Sequence, residues 1–128
     1  MNLSHSPKTV APPFGPYAHG CEVPMGSRII YTAGEVGIKP NGKVPKTIEQ
    51  QANCVWKNLE NILKHAGFSL KDLVKMTTFL VNPGDVAAAG KVRSKYLGDT
   101  RPASSTVIVA ALVKPEWLIE IEVVAAQR

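Results

Sequence analysis

The feature that most constrains this chain is one long apolar stripe at helical spacing. Ile48, Ala52, Val55, Leu59, Ile62, Leu63 and Ala66 recur at steps of three and four, which sets them on one face of an α-helix. Thr47 and Gln50 stand at capping-box spacing at its start. Lys64 and His65 fall in the last turn, where positive charge suits the helix dipole, and Gly67 follows as the C′ residue. Only one other segment reads as a helix. Asp85 is placed to cap it, and it runs to about Leu97 with Val86, Ala89, Tyr96 and Leu97 on its inner side. Arg93 falls on that same stripe, four residues after Ala89.

The remaining apolar segments read as strands. They are Arg28 to Thr32, Leu73 to Val81, Thr106 to Leu112 and Leu118 to Ala126. In the last of these Glu120 and Glu122 share one face, and Ile119, Ile121 and Val123 share the other. Pro40-Asn41-Gly42-Lys43 and Asn82-Pro83-Gly84 are turns. Ala33-Gly34-Glu35-Val36-Gly37 carries two glycines, which suggests a bulge or a close backbone approach. Pro12 to Gly20 is Pro/Gly-rich and predicts an arm with little regular structure.

Two helices cannot cover both faces of a sheet of five or six strands. They are expected on one face, in an α+β arrangement. A chain of 128 residues fits one domain over 1–128. Val107 to Leu112 is apolar on both faces, which points to a buried strand at a subunit interface and hence to a homo-oligomer.

Composition removes several classes of function. Two cysteines, Cys21 and Cys54, are too few for a disulfide scaffold or a multi-thiolate zinc site, and both read as packed thiols. His5, His19 and His65 are far apart, so no metal is expected. The glycines do not fall at P-loop or Rossmann spacing. No apolar run is long enough for a membrane span and no secretory signal is visible, so the expected compartment is the cytoplasm. The net charge is +5, but the basic residues are dispersed and only 6% of residues are aromatic. That favours a soluble basic surface, or steering of a small anion, over nucleic-acid binding.

Four weaker signals carry chemistry. Glu120 lies mid-strand among apolar neighbours, where a carboxylate can hold or deprotonate water; a solvated strand face is the plain alternative. Ser104 and Thr106 open a strand with hydroxyls and amides suited to an oxyanion, or serve simply as turn residues. Tyr17, in the Pro-rich arm, can cover a pocket or anchor packing. Arg93 can meet a ligand anion, pair with Glu120, or snorkel to water.

Together these residues resemble the RidA/YjgF family, also called L-PSP or translation-inhibitor proteins. Gly15-Pro16-Tyr17-Ala18-His19-Gly20 is similar to the family's Gly-Pro-Tyr element. Tyr31-Thr32-Ala33-Gly34-Glu35 is similar to its Ser-Gly-Gln strand end. Arg101-Pro102-Ala103-Ser104-Ser105-Thr106, followed by Leu118-Ile119-Glu120-Ile121-Glu122, is similar to its C-terminal signature.

The resemblance implies a chorismate-mutase-like fold with a mixed sheet, assembled as a homotrimer with clefts between subunits. It implies hydrolysis of enamines and imines without metal or organic cofactor. Glu120 matches the glutamate that positions water, and Tyr17 and Gly34 match residues lining the pocket. Imine-hydrolysing members carry an arginine after the Pro-Ala of the signature as a clamp for the substrate carboxylate. Here that position is Ser104, and the cysteine two residues later is Thr106. A family asparagine on the second helix falls at Gly90. A serine cannot replace a guanidinium in a bidentate contact.

Arg93 is the candidate replacement, receiving a differently placed anion. The expected substrate is then a 2-aminomuconate-like enamine rather than a 2-imino acid. The alternatives are a trimer that binds a small metabolite without turnover, and, least favoured, an endoribonuclease or translation inhibitor.

Overall fold

The computed structural model describes residues 2–128. Strands β1 (Leu3–His5) and β2 (Gly20–Glu22) form an antiparallel ribbon at the start of the chain. Then come β3 (Arg28–Tyr31), β4 (Glu35–Val36), helix α1 (Ile48–His65), β5 (Leu73–Leu80), helix α2 (Val86–Leu97), β6 (Ala103–Ile108) and β7 (Ile119–Gln127). The five later strands make a mixed sheet in the order β3-β7-β5-β6, with β4 also paired to β7. The β5–β6 pair is parallel, and the pairs made by β7 are antiparallel.

The stripe seen in the sequence builds the core. Ala52, Val55, Trp56, Leu59 and Leu63 of α1 and Ala89, Val92 and Leu97 of α2 pack with Met76 and Leu80 of β5 and Ile119, Ile121 and Val123 of β7. The other face of the sheet carries no helix and leaves Tyr31, Ser105, Val107 and Glu122 exposed. At the start of α1 the Gln50 amide donates to Thr47 Oγ1 at 3.2 Å. Gly67, with φ +84°, ends α1 in the left-handed region that glycine tolerates. No helix among the described residues is long and apolar enough to cross a membrane.

Three expectations need correction. The predicted strand Thr106–Leu112 is shifted: β6 begins at Ala103 and ends at Ile108. It is an edge strand of the sheet, and within one chain Val107 and Ile108 are 42% and 44% exposed. The apolar run misled because Ala110, Ala111 and Leu112 already lie beyond the ladder. Asp85 precedes α2 as expected, but its backbone is already helical, the end of a 3-10 turn from Pro83, and its side chain makes no capping bond. Cys54 is buried as predicted, whereas Cys21 is only half-buried in the ribbon.

One buried polar residue organises the approach to β7. Gln51 is 1% exposed. Its Nε2 donates to Pro45 O at 2.9 Å and Glu116 O at 2.8 Å, and its Oε1 accepts from the Leu118 amide at 2.9 Å. Two loops are thereby fixed to α1 immediately before β7 enters the sheet. Asn58, one turn from Cys54, likewise donates to Val36 O and Ile38 O and holds β4 in place.

Candidate functional site

The register of the sheet decides which side chains can meet. Met76, Thr78 and Leu80 point from β5 toward the helices and are buried. Ser104 and Thr106 lie opposite Met76 and Thr78, so they share the helix-covered face. Glu120 lies opposite Phe79 on one side and Val36 on the other, between the buried Ile119 and Ile121. It therefore stands on the open face. The predicted site residues divide between the two sides of one sheet.

On the helix side, Tyr17, Arg93, Ser104 and Thr106 border a cleft of about 290 Å3, joined by Phe14 and Val86. A narrower space of about 50 Å3 continues beneath Arg93 toward Thr78 and Ile121. The arm is fastened there by a parallel bridge from Ala18 to Ala103 and by the Ala18 amide donating to Pro102 O at 3.2 Å. Gly90 and Gly15 both lie close to the guanidinium. A Cβ at Gly90 would be 3.5 Å from Arg93 Nη2, and one at Gly15 would be 3.8 Å from it.

Arg93 does not pair with Glu120. Its Nε is buried with no hydrogen-bond partner, and among the described residues it has no ion pair. Burial first, and the charge of Arg101 second, pull its pKa below the ordinary arginine value. It remains a cation all the same. A half-buried cation without a counter-charge is unfavourable for the empty protein. Arg101 itself turns away, donating to Gly98 O and Thr100 O.

On the open face, Gly34 meets Glu120. A Cβ at residue 34 would be 2.7 Å from Glu120 Cδ and would collide with Oε2. The close approach expected around Gly34 is thus made against the candidate carboxylate. Glu35 follows directly. Its pKa is raised, by burial first and by the negative charge of Glu120 second. Sequence reasoning overlooked Glu35 as a titrating group, and it overlooked Phe14, Thr78 and Gln51. Only the register of β5 against β6 reveals Thr78, and only the fold of the arm reveals Phe14.

Among the described residues, no group of three or more His, Cys, Asp and Glu converges as a metal site. The arrangement offers acid–base chemistry at Glu120 and oxyanion binding at Arg93.

Residues 8–127 match the model of the family described as Endoribonuclease L-PSP. The chain belongs to this family, also called RidA/YjgF. A mouse relative, 2-iminobutanoate/2-iminopropanoate deaminase, is 34% identical over 115 residues, covering 88% of this chain and 82% of the mouse protein. The Rid-family protein YyfB of Yersinia pestis, itself of unknown function, superposes with a TM-score of 0.86 at 33% identity, covering 98% of each chain. Escherichia coli TdcF, solved with bound serine, gives a TM-score of 0.75 at 32% identity over 91% of each chain. The RidA/YjgF relatives thus include a deaminase and a protein that holds a small molecule.

Proposed function

We propose that this RidA/YjgF protein is a cofactor-free hydrolase that releases ammonia from a small enamine or imine bearing an anionic group. The observation that carries this reading is the unpartnered Arg93 guanidinium in a cleft with Tyr17, Ser104 and Thr106. An anion entering there gives Arg93 the counter-charge it lacks. In this reading Arg93 holds the substrate's acid group from α2, in place of an arginine at position 104. The substrate is a longer acid, 2-aminomuconate-like, rather than a short 2-imino acid.

Glu120 and Gly34 lie across the sheet from Arg93, so one chain alone does not bring the two halves together. The reading therefore includes a homotrimer in which the open face of one copy meets the Arg93 cleft of another. Water then adds to the carbon of the C=N bond. Glu120 passes a proton from that water to the nitrogen, giving a carbinolamine. It then passes the hydroxyl proton to the nitrogen as the C–N bond breaks, so that a carbonyl and ammonia leave. An enamine enters as its imine, after its N–H proton moves to carbon. Backbone amides near Gly34 and Thr106 hold polar atoms of the substrate.

A second reading, a metabolite-binding trimer without turnover, is favoured by Ser104, because the guanidinium has moved while Glu120 has not. Ammonia release from freshly generated enamines decides between them. Release that is lost in Glu120→Ala supports hydrolysis. Tight binding that depends on Arg93, with no ammonia, supports the second reading and overturns the first.

A further inference from the structure

We infer that the protein carries a binding site separate from the Arg93 cleft, a bay between α1 and the loop that precedes it, and that this bay takes a small phosphate monoester with a hydroxylated body. The two sites share no lining residue, so the inference does not depend on the function given to the cleft.

The bay is built on the side of α1 that the core does not use. Gln50, Asn53, Cys54, Lys57, Asn58 and Asn61 fall at i, i+3, i+4, i+7, i+8 and i+11, a polar face turned away from the apolar stripe. Such a face is ordinarily solvated. Here the loop over 39–45 folds beside it, Cys54 is only 8% exposed and Asn58 is half-buried. The space between them is about 390 Å3, within the range of small-molecule sites.

The loop is pinned at both ends. Asn58 Nδ2 donates to Val36 O at 3.3 Å and Ile38 O at 2.9 Å, and Gln51 Nε2 donates to Pro45 O. Between these points the Lys39 amide donates to Lys43 O at 2.9 Å and the Gly42 amide to Lys39 O at 2.8 Å, which closes the turn. The bay is therefore preformed, and little ordering is required of it on binding.

Its lining states the chemistry. Among the described residues no Asp or Glu borders it, whereas Lys39 and Lys57 do. Lys39 has no ion pair there, and Lys57 meets only Glu60, at 3.7 Å on the open surface. Burial pushes the Cys54 thiol pKa up and the charge of Lys39 pulls it back, so positive charge is felt at the buried end. Ammonium groups without a guanidinium suit a phosphate; a carboxylate gains most from the arginine fork. Two amides are oriented as well. The Tyr96 hydroxyl donates to Asn53 Oδ1, which leaves the Asn53 NH2 as a donor. Asn58 spends its NH2 on the loop, which leaves its oxygen as an acceptor. A fixed donor and a fixed acceptor suit hydroxyl groups, which act as both. No aromatic side chain borders the bay, so a nucleobase has nothing to stack on.

The test titrates the whole chain by calorimetry with ribose 5-phosphate, inorganic phosphate, succinate and ribose. Ribose 5-phosphate is expected to bind at least about tenfold tighter than each of the others. The double variant Lys39→Gln, Lys57→Gln changes two exposed side chains, so it folds, and it is expected to lose about tenfold or more of that affinity. Arg93→Ala is expected to keep it. Inorganic phosphate or succinate binding as tightly as ribose 5-phosphate overturns the inference, as does a double variant that binds unchanged. Binding that disappears in Arg93→Ala assigns the phosphate to the other cleft and also overturns it.

Discussion

Arg93 and Glu120 lie on opposite faces of the same sheet. Arg93 of α2 borders a narrow space with Thr106 and Ile121, while Glu120 projects from β7 between Phe79 and Val36 on the side without helices. If both act on one substrate, they must come from different copies. Arg93→Ala and Glu120→Gln are therefore expected to be inactive alone and to complement when refolded together. With random mixing, half the copies carry each intact residue, so about one quarter of the wild-type activity returns. Ammonia release from the co-refolded mixture checks this, and a mixture as inactive as its components excludes a shared site.

Gly34 is expected to matter through Glu120 rather than through the backbone. Its φ is not in the left-handed region, so alanine is sterically allowed there by the chain itself. The obstruction is the carboxylate, whose Cδ would be 2.7 Å from the new Cβ. A glutamate end can swing aside cheaply, so Gly34→Ala should fold with a stability change within about 1 kcal/mol. The displaced carboxylate should lower kcat about a hundredfold, the usual cost of a misplaced catalytic group. Parallel urea unfolding and ammonia-release kinetics separate the two effects.

The sequence made the helices legible because a stripe at steps of three and four survives any tertiary context, as at Ile48 through Ala66. It made β7 legible because Glu120 and Glu122 alternate with buried residues. It misplaced β6 because Val107–Leu112 is apolar by composition, while pairing with β5 decides where the ladder begins and ends. The division of the site between faces was legible only in part. Strand parity separates Glu120 from Ile121, but which face Ser104 occupies depends on its register opposite Met76, and no local pattern encodes that register. Gln51 was invisible for a related reason: a lone polar residue on an amphipathic helix is ordinarily solvated, and two of its three partners, at Glu116 and Leu118, come from a loop remote in sequence.

Gln51 carries a stability prediction. Gln51→Leu keeps the volume but strips Pro45 O and Glu116 O of a donor and the Leu118 amide of its acceptor. Leaving these part-buried backbone groups without their partners should cost about 1–3 kcal/mol in all. Because Leu118 lies two residues before Glu120, activity below the unfolding transition should fall as well. Urea midpoints measure the first effect. A midpoint equal to that of the wild type would show that water replaces the amide.

Glu35 supplies the pH dependence. Its pKa is raised in the folded chain, by burial and then by Glu120, so the native state binds its proton more tightly than the unfolded chain does. For a group raised on folding, the stabilising contribution is fully present below the unfolded value. It is lost as pH rises through the folded value. Glu35 therefore weakens the fold at neutral pH relative to acid pH. Glu35→Gln keeps the shape, removes the titration and removes the repulsion with Glu120. It should unfold at higher urea than the wild type at about pH 7, with the gap narrowing at about pH 4, where the wild-type carboxyl retains its proton. Midpoints for both proteins across that range test the sign. A gap that widens toward acid pH would mean that Glu35 is stabilised as a carboxylate, contrary to its burial beside Glu120.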